Sequence, residues 1–107
     1  MVKKYQVVIS GRAQRSLNRI SNYIAETASD EAAVKVEKGL LEAALNLTTL
    51  PNRHPILHRT KKGTIYRYVP KWSYKIIFTV EEGESNVIVI EMFHSSQDPA
   101  QVEESLP

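Results

Sequence analysis

The residues best suited to chemistry are cations spaced between apolar runs. Arg67, Lys71 and Lys75 recur every four residues, and His94 closes the next apolar run. Guanidinium and ammonium groups neutralise phosphate or carboxylate, and imidazole exchanges a proton near neutral pH. Arg53, Arg59, Lys61 and Lys62 precede them, and residues 43–80 hold no Asp or Glu at all. Apart from Glu91 in the last apolar run, the acids sit in the helical segments, the turn at residues 81–84 and the tail (Asp98, Glu103, Glu104). One side of the folded chain is therefore expected to carry a positive field suited to an anionic partner. Trp72, amid these cations, reads either as an exposed contact anchor or as a ring folded back over the core.

The elements that position these groups follow from apolar spacing. Residues 65–94 hold three runs rich in β-branched and aromatic residues, separated by short polar turns, which predicts an antiparallel meander. In the middle run, Tyr74, Ile76, Phe78 and Val80 share one face, and Lys75, Ile77 and Thr79 the other. In the last run, Ile88, Ile90 and Met92 oppose Val87, Val89, Glu91 and Phe93; both faces are apolar, so this strand is expected to be interior. Tyr5, Val7 and Ile9 alternate as a first strand, whose edge Lys3 and Lys4 can blunt. Ala13, Leu17, Ile20 and Ile24 predict a helix over about 11–27. Ser29 or Asp30 caps a second, whose stripe Ala33, Val36, Leu40, Ala43, Leu47 and Leu50 ends before Pro51. Residues 52–63 read as irregular, and the tail as at most one helical turn anchored by Leu106. The order is β-α-α-β-β-β: an α+β domain with a small antiparallel sheet and a two-helix hairpin on one face.

At 107 residues with a formal charge of +2, residues 1–107 are expected to form a single domain, without the lopsided charge of a dedicated nucleic-acid binder. The absence of cysteine excludes thiolate chemistry and suits a reducing cytoplasm. With no apolar leader and no run of spanning length, no membrane partner and a cytoplasmic location are expected. His54 and His58 stand four apart, but Pro51 and Pro55 prevent the helix that would pair them, so no metal site is expected. No Gly-rich phosphate loop or nucleophile motif is present, and no cofactor is expected.

Tyr5, Val7 and Ser10 lead into Ala13, Leu17, Ile20, Tyr23 and Ile24, and are followed by Leu50-Pro51, Tyr66-Arg67, residues 74–80 and residues 87–94. In order, spacing and length together these residues resemble the RelE/ParE superfamily of toxins from bacterial type II toxin–antitoxin (plasmid stabilisation) modules. The resemblance implies a toxin neutralised by an acidic antitoxin from an adjacent gene, with operator DNA engaged only through that antitoxin. It also implies one of two activities, or else a degenerate family member that only binds its antitoxin and is not toxic. The RelE-like branch cleaves ribosome-bound mRNA, and His94, Arg67 and Lys75 would then be catalytic. The ParE-like branch acts on DNA gyrase by protein contact. The RelE-like pattern carries an Arg just after the last strand and a Tyr or His near the C-terminus. Here residues 95–99 contain no cation and no Tyr follows Tyr74, which favours the ParE-like branch. Arg59, Lys61, Lys62, Arg67, Lys71, Trp72 and Lys75 are then candidate contacts to target or antitoxin. His94, in phase with Ile90 and Met92, is expected to be half-buried and hydrogen-bonded to backbone.

Overall fold

The computed structural model describes residues 2–107. Two serines fix where the helices begin. Ser10 Oγ accepts from Ala13 N–H at 3.1 Å and Ser29 Oγ from Ala32 N–H at 3.0 Å, so each helix starts with one orphan donor satisfied. Helix α1 spans Gly11–Thr27 and α2 spans Asp30–Leu45. The second helix stops short of the expected boundary. The chain tightens into a 3-10 turn at Asn46–Thr48, and Leu50 adopts a left-handed conformation (φ 48°) ahead of Pro51.

Strand β1 is Gln6–Ile9, β2 Ile56–Arg59, β3 Ile65–Lys71, β4 Tyr74–Glu81 and β5 Asn86–His94; a C-terminal helix α3 follows at Pro99–Ser105. They form one five-stranded sheet in the order β1-β5-β4-β3-β2. Neighbours are antiparallel except β1, which pairs with β5 in parallel, Gln6 opposite Asn86 through Ile9 opposite Val89. The helix pair carries the chain from one edge to the other, and the meander walks back until its last strand meets the first. The fold is α+β, with β5 interior as its two apolar faces require.

Two stretches depart from the expected reading. Residues 56–59, inside the segment read as irregular, form β2: a short edge strand with a register shift between Ile56 and His58. Pro55 precedes it, the position where proline is tolerated at a sheet edge. The tail is a full helix, with Val102 buried and Leu106 packed beside it.

The main core lies between the helix pair and the sheet: Leu17, Leu40 and Leu47 against Ile76, Phe78, Val87, Val89 and Met92. Each of these larger side chains contributes about 1.5–3 kcal/mol on burial. The second sheet face carries Tyr66, Ile77 and Phe93, covered by Val102 of α3 and by Leu106 just beyond it. Strict alternation along β5 therefore fails. Glu91 pairs with Ile77 but Val89 with Phe78, so Ile90 is an extra residue, and Val87, Val89 and Met92 all reach the main core.

Candidate functional site

The β3–β4 pairing places the basic residues. Arg67 lies opposite Phe78 and Lys71 opposite Tyr74, both core-facing positions, so Arg67 and Lys71 stand on the helix side of the sheet. Lys75 pairs with Phe93 and sits 5.0 Å over the Tyr68 ring, on the other side. The expectation of one continuous cationic face is thus corrected: backbone alternation divides the three cations between two faces. Among the described residues none of them is in ion-pair range of a carboxylate. Arg67 Nη1 instead donates to the His54 carbonyl at 2.8 Å, and Lys71 Nζ lies 4.5 Å over the Trp72 ring. Arg59 ends β2, and Lys61 and Lys62 are exposed in the turn that follows.

Trp72 is both exposed and folded back onto a helix. It occupies the turn between β3 and β4 with φ 52°, is 53% exposed, and lays its indole against Gly39 of α2. A Cβ on Gly39 would stand 2.1 Å from Trp72 Cη2. The glycine is what allows the ring to lie on the helix backbone.

His94 is exposed rather than half-buried, as the last residue of β5 at the end of the sheet. Its Nδ1 accepts from Ser96 N–H at 3.0 Å and lies 2.7 Å from Ser96 Oγ. In the neutral ring the proton therefore sits on Nε2. The ring meets Tyr74 edge-on, centroids 5.2 Å apart. Partial burial, with Tyr23 nearby, holds the Tyr74 phenol above its usual pKa, so it is a hydrogen-bond donor and not a base at neutral pH. Of the other two histidines, His54 stands edge-on to Phe78, while His58 stacks on Tyr66 with Nδ1 3.9 Å from Glu103 Oε2.

The residues sequence reasoning missed are those brought together from distant segments. β1 leaves β5 at Val89, so the last five residues of β5 present an edge that β1 does not cover. A groove of about 680 Å³ opens there between α1 and α3, with Arg19, Tyr23, Tyr74, His94 and Gln97 among its lining. The outward N–H groups of the edge are closed from within: Met92 N–H donates to Glu91 Oε1 at 2.9 Å and His94 N–H to Gln97 Oε1 at 3.3 Å. Buried Glu91 also accepts from Arg12 Nε at 3.0 Å, and the Arg12 guanidinium donates onward to Ser105 Oγ (2.7 Å) and to the Ser105 carbonyl. Arg12 thereby ties α1, β5 and α3 together. Two-residue parity could have revealed the division of the cations, since a Trp72-Ser73 turn pairs Lys71 with Tyr74. No local pattern announces the groove.

A five-stranded mixed sheet with a helical hairpin on one face matches the fold of RelE/ParE-like toxins. The chain belongs to the family described as "ParE toxin of type II toxin-antitoxin system, parDE", whose model matches residues 7–99. In fold it is similar to a protein of the chromosomal ParDE toxin–antitoxin system from P. aeruginosa: TM-score 0.70, 14% identity, 86% of this chain and 97% of that one covered. It is also similar to a chain of the RelBE2 toxin–antitoxin complex from Mycobacterium tuberculosis: TM-score 0.61, 16% identity, 88% and 94% covered. At these identities the likeness speaks to fold alone. Curated protein sequences give no match.

Proposed function

We propose that this toxin acts on DNA gyrase by protein contact, without catalysis of its own, and that it stabilises its replicon together with an antitoxin from the neighbouring gene. The observation that carries the reading is the division of the cations. Arg67 is engaged with the His54 carbonyl on the helix side, and Lys75 stands on the opposite side. Transfer of a phosphoryl centre needs cations converging on one set of oxygens with an acid and a base in line. These residues do not converge. The family match to ParE toxins supports the same reading, and the structural neighbours, both from toxin–antitoxin systems, support an antitoxin partner. Purified toxin added to gyrase at micromolar concentration is expected to block supercoiling or trap cleaved DNA; unchanged supercoiling refutes it.

One observation favours a second reading, that of a ribosome-dependent mRNA endoribonuclease. His94, exposed with Nδ1 engaged by Ser96, stands beside Tyr74 at a groove also lined by Arg19. Primer extension on translated mRNA separates the two: discrete codon-linked cuts, abolished by His94→Ala, assign the nuclease, and uncut message excludes it.

A further inference from the structure

We infer that Trp72, seated on Gly39 with Lys71 over its ring, is the anchor by which the toxin docks onto its protein target, an acidic surface that offers an apolar slot for the indole. The inference rests on the protein-contact reading above and names the part of the molecule that makes the contact.

Two local sacrifices hold this one ring in place. Trp72 takes a left-handed backbone conformation (φ 52°), which a bulky side chain adopts only under strain. Gly39 interrupts the middle of α2, where alanine would favour the helix more. A residue so placed to stabilise a core would be buried, yet Trp72 remains 53% exposed. The arrangement restrains the indole before any partner arrives, which removes the entropic cost of immobilising it on binding. Tryptophan held rigidly in this way, with half of its surface still open, is among the side chains most enriched at the energetic centres of protein interfaces.

Charge selects the partner. Lys71 lies 4.5 Å above the ring, and Lys35, one turn before Gly39, lies on the same side of α2. Among the described residues no carboxylate is in ion-pair range of either. A partner with an acidic rim gains from both, chiefly in rate of encounter. The position at the tip of a hairpin selects further. A restrained, half-exposed indole needs a partner that supplies an apolar pocket for its open surface, as a folded protein does. An extended antitoxin tail supplies anchors of its own and is better matched to a groove.

The chain contains a single tryptophan, so 5-fluorotryptophan labelling gives one 19F resonance that reports on Trp72 alone. Titration with purified gyrase is expected to shift or broaden that resonance. Trp72→Gly suits the left-handed turn and so keeps the fold. It is expected to raise the toxin concentration needed for half-inhibition of supercoiling at least tenfold, while co-purification with the antitoxin stays unchanged. Lys71→Glu, at the hairpin end of β3, should weaken inhibition several-fold, and more so at low salt. Trp72→Gly that inhibits as well as the wild type overturns the inference, as does a variant that loses the antitoxin and keeps the target. If wild-type toxin leaves gyrase unaffected, the gyrase reading fails by itself. Growth arrest on induced expression then decides the anchor: loss of toxicity in both variants supports it, and retained toxicity overturns it.

Discussion

Replacing Arg12 with methionine tests the strongest electrostatic commitment in the molecule. Glu91 is 8% exposed and its Oε2 lies 3.0 Å from Arg12 Nε. Removing one partner of a buried pair costs about 3–5 kcal/mol, because the remaining charge keeps its desolvation penalty without its compensation. Here the Arg12 side chain is 29% exposed, and Glu91 retains the bond from Met92 N–H. The lower end applies, about 3 kcal/mol, with the lost bonds to Ser105 included. For a domain of this size that corresponds to a melting temperature lower by roughly 10–20 °C. Glu91→Gln should cost less, about 1 kcal/mol, because glutamine still accepts from Met92 and the freed guanidinium can be hydrated. The double variant should be more stable than the sum of the singles predicts, with a coupling of about 1.5–2 kcal/mol. Urea titrations of the four proteins measure each term. An Arg12→Met variant within about 0.5 kcal/mol of the parent, or strictly additive losses, would refute the argument.

Two further outcomes follow from the same structure. Burial, with Arg53 and Arg67 alongside, holds the His54 imidazole below its usual pKa of 6.5. The unfolded chain then binds the proton more readily, so this contribution is complete above pH 6.5 and is lost as pH falls below that value. Stability measured from pH 8 to 5 should decline in the parent and decline less in His54→Gln; parallel curves would exclude His54 as the source. Val102→Asp places a carboxylate among Tyr66, Ile77 and Phe93. It should release α3, with amide exchange across residues 99–105 accelerated roughly tenfold or more, while the β4–β5 amides stay protected. Unchanged exchange in α3 would mean that Val102 does not anchor it.

The helices and central strands were legible because local chemistry marks them. Ser10 and Ser29 announce helix starts, and the stripes through Leu17 and Leu40 announce the buried faces. Strand β2 escaped notice because four residues between prolines and lysines carry little alternation, and only pairing with β3 makes them a strand. The inward turn of Val87 and Val89 was hidden by Ile90, since one inserted residue reverses every parity argument beyond it. The cations were legible as a set but not as a surface. Lys75 and Arg67 need the hairpin register before their faces can be assigned. Arg12, Glu91 and Ser105 come from three separate elements, and no one-dimensional pattern connects them.

The parallel pairing of the first strand with the last has a consequence for how the toxin comes into being. Residues 6–9 find their ladder only on residues 86–89, a closure across almost the whole chain. Contacts so distant in sequence form late and slowly. A ribosome adding roughly 5–20 residues per second delivers the early helices seconds before the strand that completes the sheet. Until that strand emerges, the nascent polypeptide has neither its finished edge nor the groove beside it, so the last surface to be built is the one that only a nearly complete chain can display.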